Sequence, residues 1–268
     1  MIHIAARSRS LIKAAPFTSP GLGDRLHSAH MAYNYGKAHG QPVTLHLTDD
    51  KWSRSKGSTN DMKSKSWNEI VELFPEKALS VMAHEVENLP EEVWIDFLKR
   101  KGIDAETYFY KDGNFKFNYV PGLNMFNASK YLTYPLLPAE ARDIDLPEKF
   151  VTAQFDSNNV PYWKDDLHDS RKIPYMDVNM ILNRYTSLGY SIVFIGGDAE
   201  IPGLRGAGNL KNIAFALSQA DYHLGTDSGL FHLANIYMKP SQIKLFTRGW
   251  MSHHTQRAAH NGVKVEVR

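Results

Sequence analysis

The chain has 268 residues, 43% hydrophobic and 22% charged, with a formal net charge of +2. That length fits two domains of about 120–140 residues each, and the charge is too small to argue for a nucleic-acid partner. The absence of cysteine excludes disulfides, thiolate metal sites and thiol nucleophiles and is in keeping with a cytoplasmic setting.

Met1 to Lys13 is broken by Arg7, Arg9 and Lys13, so no apolar signal core is expected there. No run approaches the ~20 apolar residues of a membrane span. Peripheral membrane contact stays open, since it needs only a modest surface patch.

Ile2 to Ala6 and Leu11 to Phe17 read as strands, followed by the glycine-bearing run Ser19-Pro20-Gly21-Leu22-Gly23-Asp24. A helix is predicted from Asp24 to Ala38, with Leu26, Ala29, His30 and Tyr33 on one face and Gly40 as its stop. Val43 to Leu47 alternates as a strand does, completing a β-loop-α-β unit of a doubly wound sheet. Asp49 to Lys65 is polar and reads as a loop. Trp67 to Phe74 and Glu91 to Lys101 read as helices. Thr107 to Tyr110 and Phe115 to Val120 flank Lys111-Asp112-Gly113-Asn114, a hairpin signal.

Pro135, Pro138 and Pro147 lie among mixed charges and mark a domain boundary, giving an N-terminal domain over 1–140 and a C-terminal domain over 141–268. In the second half, Phe150 to Phe155, Ser191 to Ile195, Tyr222 to Gly225 and Ile243 to Phe246 read as strands. Asp177 to Leu188, Asn209 to Gln219 and Leu230 to Met238 read as helices, with Val178, Ile181, Leu182 and Tyr185 spaced for one buried face. The expected fold class is α/β, two Rossmann-like domains facing a cleft, with a hairpin insertion in the N-terminal one.

Three glycine-bearing turns gather the polar residues. In the first, Gly23 lets backbone approach a ligand, Asp24 is either a helix cap or a general base for an acceptor hydroxyl, and Arg25 offers a bidentate fork for a diphosphate. In the second, Gly196 and Gly197 follow an apolar strand, and Glu200 or Asp198 can hold ribose hydroxyls. In the third, Asp227-Ser228-Gly229-Leu230-Phe231-His232 leads from strand to helix. The free N–H groups and dipole of that helix suit a phosphate, Ser228 adds a hydroxyl, and His232 sits one turn in. Each turn alone also reads as an ordinary capped turn. Lys164, Arg171 and Lys172 follow the second domain's first strand, and one of them can reach a phosphate. His27 and His30 have metal-ligand spacing but no third ligand, so no metal is expected. His253, His254 and His260 fall in a polar tail.

Residues 190–246 resemble the ADP-heptose:lipopolysaccharide heptosyltransferases, glycosyltransferase family nine. The resemblance lies in Val193-Phe194-Ile195-Gly196-Gly197, Asn209-Leu210, Ala220 to Asn235 with its Asp-Ser-Gly-x-x-His core, and Pro240. Gly23-Asp24 matches that family's Gly-Asp loop. Gly21-Leu22-Gly23-Asp24-Arg25-Leu26 also resembles the fucosyltransferase group that includes nodulation and protein O-fucosyltransferases. Asp49 to Tyr131 lies outside both resemblances. The heptosyltransferase resemblance implies a GT-B fold and metal-independent, inverting sugar transfer from a nucleoside-diphosphate sugar, without a cofactor. It also implies Asp24 as the candidate catalytic residue, and Asp227, Ser228, Gly229 and His232 on the donor. Between the two resemblances the donor is ADP-linked or GDP-linked. The acceptor is a saccharide or another hydroxyl compound. A nucleotide-sugar-binding module without transfer, and an epimerase of the same fold, are the alternatives.

Overall fold

The computed structural model describes residues 1–5, 22–48, 67–84, 86, 91–107, 135–156, 172–206, 208–248, 258–259 and 261–268. The chain divides into two units, Met1–Thr133 and Tyr134–Arg268, each built on an all-parallel sheet. Because a parallel sheet is covered on both faces by its crossover helices, each unit is α/β.

Unit 1 has β1 (Ile2–Ala5), α1 (Leu22–Ala38), β2 (Val43–Thr48), β3 (Leu79–His84), α2 (Glu91–Arg100) and β4 (Glu106–Thr107), in sheet order β3-β2-β1-β4. Ile4, Val43, Leu45, Leu47 and Leu79 are buried. Gly36 of α1 lies so close to β2 that an added Cβ would come within 2.6 Å of Val43 Cγ2. The alternate strand positions carry a polar row. Thr44 Oγ1 and Ser80 Oγ are 2.9 Å apart. His3 Nδ1 lies 2.9 Å from His46 Nε2, and His46 Nδ1 lies 2.9 Å from His84 Nε2, a histidine chain across three strands. The His84 ring meets Trp94 and Phe97 of α2 edge-on.

Several expectations change for unit 1. β3 is a strand that the sequence reading missed. Helix α1 begins at Leu22, so Gly23 and Asp24 belong to its first turn and Asp24 is not the cap preceding it. Thr107, expected in a hairpin strand, pairs in parallel with Ala5 of β1. The helix expected over Trp67 to Phe74 is helical over 67–71 and continues as turns. The strand Leu11 to Phe17, the loop Asp49 to Lys65, and the hairpin at Lys111 to Asn114 with its strand Phe115 to Val120 lie outside the described residues. So do Lys164, Arg171, His253, His254 and His260.

Unit 2 has β5 (Phe150–Gln154), α3 (Tyr175–Ser187), β6 (Ser191–Phe194), α4 (Leu210–Gln219), β7 (Tyr222–Gly225), α5 (Gly229–Tyr237), β8 (Ile243–Thr247) and β9 (Lys264–Val267). The sheet order is β6-β5-β7-β8-β9. Strand β9 was also missed. It is polar, with burial only partial at Val265 and Glu266, as befits an edge strand. Right-handed crossovers place α3 on one face and α4 and α5 on the other. Val178 and Ile181 of α3 pack with Val151, Ala153, Phe155, Ile173, Leu224 and Phe246, and Leu182 and Tyr185 flank them, as their spacing predicts. Helix α5 is apolar nearly all round, with seven buried residues, the mark of a helix enclosed in a core.

Burial pushes the His46 imidazole down to about 4, with His84 and His3 adding to the effect, and burial pushes His223 down to about 3. Both lie below the ordinary value of about 6.5, so the unfolded chain binds more protons as the medium is acidified through that window. Stability is therefore full above about pH 6.5 and is lost as pH falls toward the folded values. Urea midpoints are expected to drop between neutral pH and pH ~4.5, with a smaller drop in His223→Gln. Equal slopes in the two proteins would exclude His223 as a source.

Candidate functional site at the carboxyl edge of the unit 2 sheet

The chain leaves β5 toward β6 on one side and later returns to β7 on the other. The strand order therefore reverses between β5 and β7. Ligands of open α/β sheets bind outside the carboxyl ends of the strands at such a point. Four polar segments converge there. Gln154 ends β5, Asp156 lies two residues on, Gly196-Gly197 follow β6, and Thr226-Asp227-Ser228 join β7 to α5.

Ser228 is the cap of α5. Its backbone is extended, with φ −145° and ψ 173°, and its hydroxyl oxygen accepts from the Phe231 N–H at 3.4 Å. The same hydroxyl donates to Oε1 of Gln154. Ser228, read from sequence as a ligand hydroxyl, thus has its one O–H directed into the protein. By position, Gly229 and Leu230 have N–H groups with no partner inside the helix, as at any helix start.

Gln154, 4% exposed, uses its amide N–H groups as well. Nε2 donates to the Asp156 carbonyl and to Asp156 Oδ1 at 2.6 Å. Asp156 Oδ2 accepts from the Gly197 N–H at 3.1 Å. The two turns expected to share a ligand are therefore tied together by one continuous chain of hydrogen bonds, running Phe231, Ser228, Gln154, Asp156, Gly197.

The glycines are needed where this chain closes. Gly196 has φ +91°, and a Cβ there would lie 3.1 Å from Leu230 Cδ1, which puts the β6 turn against the start of α5. A Cβ on Gly197 would lie 2.8 Å from Asp156 Oδ2. Gly225 is hemmed in by Gln154 O at 2.8 Å and His223 Nε2 at 3.0 Å from its would-be Cβ. His223 itself is fully buried and pairs through Nδ1 with Thr152 Oγ1 at 3.1 Å.

His232 Nε2 lies 3.9 Å from Asp227 Oδ1, with side chains 8% and 13% exposed. Glu200 is exposed and joins none of the bonds just described. Lys172 is 3% exposed, and its Nζ has no hydrogen-bond partner among the described residues. It lies three residues before α3, whose N-terminus is at the carboxyl edge because α3 connects the parallel strands β5 and β6.

The sequence reading paired Gly196, Gly197, Asp227, Ser228, Gly229 and His232 at this edge and missed Gln154 and Asp156. A glutamine ending an otherwise apolar strand, with aspartate two residues on, was the available signal. Gly23, Asp24 and Arg25 lie in unit 1, in the first turn of α1. Among the described residues no group of three or more His, Asp or Glu side chains could hold a metal ion. No described helix is long and apolar enough to cross a membrane.

The chain thus consists of two parallel α/β units, one with a capped-helix site at its switch point. No protein-family model and no curated protein matches it. Among solved structures it is similar to the bacterial iron-containing dodecameric glycosyltransferase TibC from enterotoxigenic E. coli H10407. That match has 15% identity and a TM-score of 0.49, and it covers 91% of this chain and 57% of that chain. It is also similar to the E. coli heptosyltransferase WaaC with ADP-2-deoxy-2-fluoro heptose, at 10% identity and a TM-score of 0.42, covering 100% of this chain and 93% of that one. The chain therefore spans little more than half the length of TibC.

Ser228→Ala removes the α5 cap and leaves Gln154 Oε1 without its Ser228 donor, so unfolding free energy is expected to fall by at least about 1 kcal/mol, read from urea denaturation. An unchanged value would mean that the Phe231 bond does not hold the helix start.

Proposed function

We propose that the chain is a glycosyltransferase that binds a nucleoside-diphosphate sugar at the carboxyl edge of the unit 2 sheet and moves the sugar to an acceptor hydroxyl. The observation that carries this reading is the start of α5 at the β5/β7 switch point. Its cap is fixed from within, and by position the Gly229 and Leu230 N–H groups have no partner inside the helix. The Asp-Ser-Gly-x-x-His run that builds it resembles the heptosyltransferase donor motif, which supports the reading independently. Lys172 adds a buried amine with no hydrogen-bond partner among the described residues, a place a phosphate oxygen could take.

In this reading the diphosphate lies against the Gly229 and Leu230 N–H groups and Lys172, with Asp227 and His232 toward the donor sugar. The nucleoside lies along Gly196-Gly197, with Glu200 beside its ribose. Arg25, Lys164 and Arg171 are further candidates for phosphate contact. The acceptor oxygen attacks the anomeric carbon as the bond to the diphosphate oxygen breaks, and Asp24 takes the acceptor proton. A single displacement of this kind inverts the anomeric centre. Preorganised N–H donors and a lysine can carry the charge of the leaving diphosphate without a metal. An ADP-linked or GDP-linked donor fits the two resemblances, and the proposed setting is cytoplasmic, with membrane contact at most peripheral.

Two measurements test this reading. Lys172→Met should lose the stabilisation that ADP or GDP gives the wild type in a thermal melt. If no nucleoside diphosphate shifts the wild type, the donor site falls. Asp24→Asn should retain donor binding and lose roughly 10²–10⁴-fold in transfer rate, the range for a general base. Unchanged turnover would remove Asp24 from the chemistry. Binding without any release of nucleoside diphosphate would instead identify a binding module, and turnover of the donor without an acceptor would identify an epimerase.

A further inference from the structure

Resting on the donor-site reading, we propose that Gln154 and Asp156 are positioning residues that make the nucleoside-side turn and the phosphate-side helix cap act as one rigid unit. Neither residue needs to touch the donor. Gln154 is nine-tenths buried and spends both ends of its amide on protein groups: Oε1 on Ser228, and Nε2 on the carbonyl and carboxylate of Asp156. The polarity of the chain is fixed at every step. The Asp156 carbonyl and carboxylate can only accept, so Gln154 must present its nitrogen to them and its oxygen to Ser228. Ser228 must therefore donate to Gln154, and a lone pair of its hydroxyl takes the Phe231 N–H. Asp156 is then left to accept the Gly197 N–H at 3.1 Å with its other oxygen.

This arrangement has two effects on a ligand. It keeps the Ser228 hydroxyl as a cap, so the diphosphate is gripped by backbone N–H groups whose direction cannot drift. It also holds the Asp156 charge between two donors, so that a carboxylate can lie beside an anion site without repelling the anion at full strength. The Gly196-Gly197 turn and the α5 cap then keep a fixed spacing, as a rigid nucleoside diphosphate requires.

The polarity can be inverted to test the idea. Gln154→Glu keeps the acceptor for Ser228 but sets two carboxylates face to face. Asp156→Asn keeps one acceptor oxygen and gives up either the Gln154 or the Gly197 bond. The double variant Q154E/D156N restores the chain: the amide now at position 156 donates to the carboxylate now at position 154 and accepts from the Gly197 N–H. In place of the bond to the carbonyl of residue 156 it has an oxygen–oxygen contact, and it carries the same net charge as the wild type.

Titration calorimetry with ADP and GDP, at a temperature where the variants are folded, should show each single variant binding roughly tenfold more weakly than wild type. The double variant, in which the side-chain bond between 154 and 156 is remade, should bind more tightly than Gln154→Glu. Inorganic pyrophosphate, which does not reach the nucleoside turn, should bind Asp156→Asn as well as wild type, an outcome that general loss of structure would not give. Single variants that bind ADP and GDP normally, or a folded double variant as weak as Gln154→Glu, would overturn the proposal. So would equal loss of pyrophosphate and nucleoside-diphosphate affinity in Asp156→Asn. If Gln154→Glu does not fold, the split between pyrophosphate and nucleoside-diphosphate affinity in Asp156→Asn decides the matter. A wild type that binds no nucleoside diphosphate would sink the donor-site reading itself, a result distinct from every variant outcome.

Discussion

The hydrogen bond from the Ser228 hydroxyl to Gln154 is the interaction on which the unit 2 site depends. It crosses the seam between β5 and β7, where the strand order reverses and the crossover helices diverge to opposite faces. At such a seam no helix covers the sheet edge, so polar groups there must satisfy one another or a ligand. Gln154 does the former for its neighbours, and the start of α5 is left for the latter. The close backbone approaches at Gly196, Gly197 and Gly225 follow from the same constraint. Each glycine stands where another element of the chain of bonds, or the strand beneath it, occupies the space a Cβ would need.

A buried polar chain of this kind is demanding as well as stabilising. In a low-dielectric interior a fully paired network is rigid, while the loss of one member leaves another buried group without a partner. Gln154 and Asp156 therefore specify one arrangement of the two turns. The core around Val151, Ala153, Phe155 and Leu224 is apolar and would tolerate several packings of similar volume. The precision at the edge comes from hydrogen-bond direction, and the core supplies the platform.

Much of unit 2 was legible in the sequence because its periodicities are strong and local. The α3 stripe of Val178, Ile181, Leu182 and Tyr185 lies against the core as its spacing requires, and Pro240 follows α5 as expected. The strands that went unread, β3 and β9, lie at sheet edges. An edge strand meets fewer apolar neighbours, so Leu79 to His84 and Lys264 to Val267 carry mixed residues with no clean alternation of burial. The parallel pairing of Thr107 with Ala5 joins residues about a hundred positions apart and leaves no local trace. In the site itself, residue types with turn chemistry stood out, and the buried glutamine that connects them did not. A strand-ending glutamine has no motif; its role exists only once β5 and β7 are neighbours.

The two sheets handle buried polar side chains differently, and the contrast bears on where chemistry can occur. In unit 1, His3, His46 and His84 form a closed hydrogen-bonded row across the strands. Each internal ring nitrogen of that row already faces another, so the row serves the sheet. In unit 2 the polar chain also consumes its own members, but it ends at a helix start whose first N–H groups have no partner inside the helix. Carboxylates at this edge would oppose an anion. Asp156 is held by Gln154 and Gly197, and Asp227 lies beside His232. Bonds from Gln154 and Gly197 soften the Asp156 charge without removing it, so the start of α5 and the carboxylates act in opposite senses on any anion at this edge.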